Sequence, residues 1–286
     1  MSKRQKSHYD LLKKEWEKRH RDARKKFEEK HSDVLSKITT GAAGLILLSS
    51  SLNPVTALAA AATQTPPPVI EESNNLEALL KDLKTIVPVD MRVLNSDEEA
   101  TISAKLSKYF DMDIKPEING LRLNRSYGVI GAEQHLTRFP GDSMNTHFAS
   151  QTDANMFYSS GMAPGKGAWG YFVNSGQELS TIDIEREKWY IAVQTFAVSD
   201  YNQRVKEYRE FFKYRKMLVV NPLTGQAVVS DIADAGPAVW TGKHLGGSPE
   251  VMHFLGFADG PRKGAVLYFF INDLDDKIPL GPINLK

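Results

Sequence analysis

The stretch Lys216–Gly256, KMLVVNPLTGQAVVSDIADAGPAVWTGKHLGGSPEVMHFLG, carries the clearest structural pattern in this chain. Two short apolar strands are predicted, over Lys216–Val220 and Gln226–Asp231. A turn with proline and glycine joins them, since proline presets φ and glycine accepts the left-handed region. Asp234 and a Gly-Pro pair follow, and then a short helix is predicted over Ser248–Leu255, with a serine cap and proline in its first turn. The pattern places the carboxylate of Asp234 where a strand ends.

The same kinds of signal predict further elements on both sides of this stretch. Apolar residues at helical spacing predict helices, while β-branched and aromatic runs predict strands. The predicted helices are Leu76–Val87, Ser96–Phe110 and Tyr201–Phe212, and the predicted strands are Lys188–Val198 and Gly264–Asn272. Ser96 and Glu99 are spaced as a capping box, which indicates where the second helix begins.

The order of these features resembles the second half of the double-psi β-barrel of the rare lipoprotein A family, bacterial cell-wall proteins related to the expansins. In that family a strand, an Asn-containing turn and a second strand lead into Asn-Asp-Arg-Gly-Pro, and a helix ending in Leu-Gly follows. Here Asp234 falls on the family's Asp, Gly236-Pro237 on its Gly-Pro, and Leu255-Gly256 on its Leu-Gly. The resemblance covers Lys216–Gly256, with a looser match over Lys188–Asn272.

The resemblance and the predicted elements together give a fold class and a domain order. We expect a mainly β protein with a helical N-terminal part. A six-stranded double-psi β-barrel, with a loop-rich extension at its start, is predicted over residues 121–286, after a small helical subdomain over residues 76–120. Residues 63–75 contain TPPP and are predicted to be a Pro-rich linker.

Charge and hydropathy predict the cellular address. Residues 1–37 carry 13 Lys and Arg against 7 Asp and Glu, whereas acidic residues are in excess over the remainder. The positive charge therefore lies in a predicted cytoplasmic leader, and no nucleic-acid partner is expected for the folded part. Residues 38–62 form a short apolar run broken by Pro54, which is typical of a signal peptide cleaved near Ala59; an uncleaved membrane anchor is the alternative. The chain has no cysteine, which excludes thiol catalysis and thiolate metal ligands.

Asp234 is the first candidate for chemistry. It stands between two alanines, and an apolar setting raises a carboxyl pKa, which suits a general acid. The alternative is that it caps the following turn by accepting backbone N–H bonds. Family members with lytic transglycosylase activity have a His ahead of the first strand and a second Asp. Counting from Asp234 puts Tyr208 and Gly246 at those two positions.

Other side chains are candidates for helping the acid or for holding a sugar. His244 and His135 are candidate catalytic partners, with hydrogen-bonded structural roles as the alternative. Flat apolar faces flanked by hydrogen-bonding groups suit a pyranose ring, so the candidate substrate-binding residues are the aromatic Trp240, Tyr208 and Trp169 and the carboxylate Glu133. His135, His147 and Glu133 are potential metal ligands, but they lack a ligand motif such as His-x-x-x-His, so no metal and no cofactor are expected.

The sequence thus predicts an exported protein, extracellular or bound to the cell envelope, whose partner is cell-wall glycan (peptidoglycan). The membrane would be a second partner through residues 38–62 if that segment is not cleaved. A non-catalytic module that binds glycan or organises the envelope is the first expectation. The alternative is a lytic transglycosylase with Asp234 as general acid and base.

Overall fold

The structure is a computed structural model that describes residues 69–286, apart from 175 and 176. Its helices are α1 (Val69–Ile86), α2 (Ser96–Phe110), α3 (Met144–His147), α4 (Gln151–Phe157), α5 (Thr181–Lys188), α6 (Val205–Phe212) and α7 (Pro249–Phe254). Its strands are β1 (Ile114–Lys115), β2 (Glu117–Ile118), β3 (Leu121–Arg122), β4 (Tyr127–Ala132), β5 (Tyr190–Val193), β6 (Lys216–Val220), β7 (Ala227–Ala235), β8 (Leu245–Gly247), β9 (Lys263–Ile271) and β10 (Gly281–Ile283).

Six of these strands close into a mixed β-barrel. Around the barrel the order is β4-β9-β6-β7-β5-β8 and back to β4. The pairs β5/β7 and β4/β8 are parallel, and the other four are antiparallel. Two further strands extend the sheet, because β1 pairs with β9 and β10 pairs with β7. A six-stranded barrel is therefore confirmed over the C-terminal part.

The strand pairing has an internal symmetry. Exchanging β4, β5 and β6 with β7, β8 and β9, in that order, reproduces every pair of the barrel with its direction. β4 and β5 follow one another along the chain but are not neighbours in the barrel, because β8 lies between them. The long connection from β4 to β5, which we call the crossover, carries α3, α4 and α5, and it contains most of the polar clusters described below.

Apolar side chains fill the barrel from alternate strand positions. Met217 and Val219 of β6 point into the interior cluster, whereas Leu218 and Val220 belong to a second cluster outside the wall. This alternation is what a pleated strand imposes. Both faces of β6 are therefore buried, as its continuous apolar run indicates.

The two N-terminal helices cover the outer face of the wall. Leu79 and Leu83 of α1 and Leu106 of α2 are buried in the outer cluster together with Leu218 and Phe269 of the barrel. The predicted helices thus exist, and their apolar faces share a core with the barrel. A helical subdomain that is separate from the barrel stays a prediction.

Several of the predicted bounds of helices and strands are confirmed, and others differ from the structure. The bounds predicted for α2 and β6 agree with the structure. The capping box of α2 lies one residue earlier than predicted, between Asn95 and Glu98. Helix α1 begins at Val69, within the predicted linker.

Two strand predictions near the barrel end were wrong in extent. The segment Lys188–Val198 forms a strand only over Tyr190–Val193, because α5 runs to Lys188 and a 3-10 turn follows at Thr195. β7 continues to Ala235, so Asp234 lies inside the strand rather than after it. The bulge that separates Ile191 from Ala192 in the pairing of β5 with β7 accompanies this extension.

The predicted leader, the predicted signal or anchor segment and most of the predicted linker lie outside the described residues. Over residues 69–286, apart from 175 and 176, the structure has no helix of the length and hydropathy needed to span a bilayer.

Candidate functional site

Asp234 is held by two backbone amides. Its Oδ1 accepts hydrogen bonds from the N–H groups of Ala168, at 2.7 Å, and Ala235, at 2.8 Å. No hydrogen bond to Oδ2 occurs among the described residues. Burial raises the pKa of Asp234 above its ordinary value, although both amide bonds act in the opposite direction. The carboxyl group thus accepts backbone N–H bonds from its own strand and from a distant loop, rather than from the turn that follows it.

The amide of Ala168 comes from a loop, Gly161–Phe172, that we call the strap. The strap is bound at its start by the N–H of Ala163, which donates to the carbonyl of His135 at 2.8 Å. At its end the N–H of Phe172 donates to the carbonyl of Arg138 at 3.0 Å. A side chain at Gly167 would place its Cβ 3.0 Å from the carbonyl oxygen of Ala233, a tight contact that favours glycine where the strap passes β7.

Trp169 joins Asp234 through the same strap. Its indole Nε1 donates to the carbonyl of Ile232 at 3.0 Å, and the guanidinium of Arg209 lies 5.2 Å from the ring centroid. Arg209 also donates to the carbonyl of Ala168, at 3.0 Å. The Trp169 ring is half-buried, packs against the interior cluster and uses its hydrogen-bonding edge to bind β7.

Trp240 lies on the loop that connects β7 to β8, within a 3-10 turn, Val239–Thr241. The indole is 88 % exposed and neighbouring Val239 is 68 % exposed. The loop itself is fixed, because the buried Gln194 amide donates to the carbonyl of Pro237 at 2.9 Å and to that of Lys243 at 3.0 Å. A fixed backbone therefore presents a large apolar ring to solvent.

Glu133 lies on the same outer face of the barrel wall as Asp234. Asp234 pairs with Ala192 of β5, and Ala192 pairs with Gly246 of β8, so the three residues form a row across the wall. The Glu133 side chain covers Gly246, where an added Cβ would lie 2.5 Å from its Cγ. Lys243 donates to Glu133 Oε1 at 3.2 Å. Strands are about 4.8 Å apart, so Asp234 and Gly246 are about 10 Å apart along this row.

His244 and Tyr208 are engaged elsewhere. The Nδ1 of His244 accepts from the N–H of Val129 at 3.0 Å, and its Nε2 lies 2.7 Å from a guanidinium nitrogen of Arg125. The Tyr208 ring is 2 % exposed within the interior cluster, and its hydroxyl donates to Asp200 at 2.6 Å. Neither side chain has a hydrogen bond to Asp234 among the described residues.

His135 belongs to a buried polar cluster on the crossover between β4 and β5. His147 Nε2 lies 2.9 Å from Glu187 Oε2, and His135 Nδ1 lies 3.4 Å from Glu187 Oε1. The guanidinium of Arg138 makes a forked ion pair with Asp142, whose Oδ2 lies 3.5 Å from Nδ1 of His147. Donor atoms of both histidines and Glu187 lie within 4.8 Å of one another, so these residues could hold a metal ion.

Neighbouring charges determine the pKa values of His147 and Glu187 in this cluster. Burial lowers the pKa of His147, but the carboxylates of Asp142 and Glu187 outweigh burial and raise this pKa to about 9. Burial raises the pKa of Glu187, and the two histidines reverse that effect and hold it below its ordinary value. Without a metal, the cluster therefore contains a His147 imidazolium and a Glu187 carboxylate.

The structure brings Asp234, Trp169 and Glu133 onto one side of the barrel, with Trp240 on the loop that follows β7. It places His135 in a separate cluster that includes Glu187 instead of the predicted Glu133. Sequence reasoning missed Glu187, because TIDIEREK has the composition of a solvated helix. A comparison of the chain with protein-family models gives no match, and neither does a comparison with curated proteins.

Proposed function

We propose that this protein is an exported cell-envelope protein whose barrel binds cell-wall glycan without cleaving it. The symmetric exchange of β4–β6 with β7–β9 supports assigning the barrel to the double-psi type, the fold that the resemblance to the rare lipoprotein A family implies. The basic leader and the apolar run over residues 38–62 support the exported address. Cell-wall glycan is the ligand that agrees with both the barrel type and the exported address.

The observation that carries the proposal is the exposure of Trp240 on a fixed loop. An indole left in water forgoes the free energy gained by burying a large apolar surface, so a rigidly displayed one is typical of a binding surface. Its flat face suits a pyranose ring. Asp234, Glu133 and Lys243 supply acceptors and a donor for sugar hydroxyls nearby on the same wall.

A lytic transglycosylase is the second candidate, and the raised pKa of Asp234 favours it. Such an enzyme needs one carboxyl group that protonates the glycosidic oxygen and then removes a proton from a sugar hydroxyl. Asp234 Oδ1 already accepts from two amides, and His244 is bound to Arg125 and Val129. These bonds favour the binding role over catalysis.

The binding test is sedimentation of the purified protein with insoluble peptidoglycan. We expect the wild-type protein to pellet, and Trp240→Ala to bind about tenfold more weakly, as for the loss of a central aromatic contact. Leu223→Ala is the matched control, since Leu223 is an apolar side chain that is 82 % exposed on another loop. Failure of the wild type to pellet, or equal pelleting of both variants, contradicts the proposal.

The same samples decide between binding and cleavage. After incubation the supernatant is analysed for anhydro-sugar products, with Asp234→Asn as the control. The binding role predicts no products from either protein. Products from the wild type that disappear in Asp234→Asn would instead establish the transglycosylase.

A further inference from the structure

The three residues of the histidine cluster come from distant parts of the chain. His135 follows β4, His147 is the last residue of α3, and Glu187 lies in the last turn of α5. All three side chains are almost fully buried, at 0 %, 4 % and 3 % exposure. Donor groups that converge in the interior from three segments form a built site rather than a chance surface cluster.

Among the residues that the structure describes, the cluster contains buried imidazole nitrogens without hydrogen-bond partners. Neither ring nitrogen of His135 has one, and Nδ1 of His147 has only the approach of Asp142 at 3.5 Å. Buried polar atoms normally have partners, so each exception calls for a physical explanation. An ion pair between the His147 imidazolium and Glu187 accounts for two members of the cluster, but it leaves the His135 ring without a role.

We propose that His135, His147 and Glu187 bind a divalent transition-metal ion, and that zinc is the ion their donor set fits best. Two imidazoles and one carboxylate form a known zinc ligand set, and imidazole disfavours magnesium and calcium. Donors about 2.0–2.1 Å from a tetrahedral zinc ion lie about 3.3 Å from one another. The donor separations of 2.9 Å and 3.4 Å to Glu187 already approach that spacing.

Neighbouring groups position the ligands as outer-shell residues do in metal sites. Asp142 lies beside Nδ1 of His147, the nitrogen that faces away from Glu187. Arg138 holds Asp142 and also donates to the carbonyl of His147 at 2.8 Å. The N–H of Leu136 donates to Glu187 Oε1 at 2.8 Å. A carboxylate behind a metal-bound histidine fixes its ring and raises its basicity.

Phe148 contacts the cluster and also borders the protein surface. This ring packs edge-on against both imidazoles, with centroid distances of 5.3 Å to His135 and 5.1 Å to His147. Phe148 also lines a surface cavity of about 380 Å³, together with Asn145 of α3 and Tyr158, which follows α4. This cavity brings solvent to a residue that contacts both imidazoles, so it is the approach that we propose for the ion.

Metal binding here would join three segments of a chain that has no cysteine. His147 would fix α3, Glu187 would fix α5, and His135 would fix the loop that is also bound to the strap. Binding to the folded state alone stabilises it in proportion to metal concentration, so the ion would act as a cross-link. The inference is independent of glycan binding.

The experiment uses the full chain, purified without a histidine tag, freed of metal with a chelator, incubated with zinc and desalted. Elemental analysis is expected to find about one zinc ion per chain, and the melting temperature is expected to rise with added zinc but not with magnesium. The leader contains His8, His20 and His31, so their background binding must be separated from the site.

The double variant His135→Gln/His147→Gln makes that separation, and His253→Gln is the matched control because His253 is an exposed histidine of α7. We expect the double variant to lose the bound zinc and the thermal shift, while His253→Gln keeps both. No zinc on the wild type, or equal zinc on the double variant, overturns the proposal. If the double variant fails to fold, the cobalt form of the wild type decides: a four-coordinate spectrum supports the site, and a six-coordinate one overturns it.

Discussion

At the scale of single residues, two carboxyl groups are buried in surroundings that disfavour their ionised form. Asp234 and Glu250 both have a pKa raised by burial, and they differ in how they are satisfied. Asp234 accepts two backbone N–H bonds, whereas Oε2 of Glu250 is buried and has no hydrogen bond within the described part of the chain. Glu250 is therefore the better reporter of the free energy of burying a carboxyl group.

Burial, helped by the charge of Glu187, raises the pKa of Glu250 from 4.5 to about 8. The folded protein keeps a proton that the unfolded chain releases, so the stabilising contribution is full below about pH 4.5 and is lost as the pH rises to about 8. Glu250→Gln cannot ionise and is expected to be more stable than the wild type at pH 9, by roughly 2–5 kcal/mol, but not at pH 4.5.

Urea unfolding in the presence of a chelator, at both pH values, measures this difference. The control is Glu210→Gln, because Glu210 is exposed on α6 and its change should have similar small effects at both pH values. An identical stability of Glu250→Gln and the wild type at pH 9 would show that this carboxyl group is ionised without cost.

The sequence located some of the site residues but not their partners. Asp234 was predicted near the end of a strand because the turn, the Gly-Pro pair and the apolar strands are all local signals. The contact of its Oδ1 with Ala168 is not local, since it depends on how the strap crosses β7. His135 and Glu187 meet only after the crossover has folded, so their spacing along the chain has no motif.

At the scale of elements, local sequence patterns predicted most helices and strands correctly. The wrong predictions occur where a buried polar side chain ends an element. The β5 strand ends before Gln194, whose side chain binds two carbonyls of the loop from β7 to β8. One local signal was missed: Asn119 and Gly120 both have positive φ in the hairpin between β2 and β3, the dihedrals for which Asn-Gly is preferred.

The packing of α2 on the barrel predicts a large cost for truncating its apolar face. Leu106 is fully buried in the outer cluster, so Leu106→Ala is expected to lower the free energy of unfolding by about 2–5 kcal/mol. Thr101→Ala, an exposed change on the same helix, is expected to shift it by no more than about 0.5 kcal/mol. Urea unfolding followed by fluorescence measures both, and a cost below about 1 kcal/mol for Leu106→Ala would mean that α2 is only loosely packed.

At the scale of the whole molecule, the barrel wall has an apolar surface on both sides. Leu218, Val220, Leu267 and Phe269 face away from the interior and are covered by α1 and α2. Strand periodicity indicated the apolar runs but could not show that helices cover them, since a run buried on both faces has no alternation. The closure of β4 against β8 and β9 was likewise beyond any local pattern.

This arrangement predicts the outcome of two truncations. Deleting residues 1–110 removes α1 and α2 and exposes a large apolar patch, so the remaining chain is expected to bind a hydrophobic dye and to aggregate. Deleting residues 1–68 keeps both helices and is expected to leave one cooperative unfolding transition. Size-exclusion chromatography and thermal unfolding compare the two, and a monodisperse, cooperatively unfolding chain from 111 onward would support a separate helical subdomain.

The pairing of the first barrel strand governs when the fold can be completed. Within the part of the chain that the structure describes, β4 pairs only with β8 and β9. A nascent chain must therefore emerge from the ribosome as far as Leu245–Gly247 before Tyr127–Ala132 can pair at all, and almost to Ile271 before the barrel can close. Pairing between strands that are far apart along the chain slows folding, and unpaired apolar strands are prone to aggregate in the meantime. A cut within the crossover would leave β4 on one fragment and both of its partners on the other, so neither fragment alone contains the six strands of the barrel.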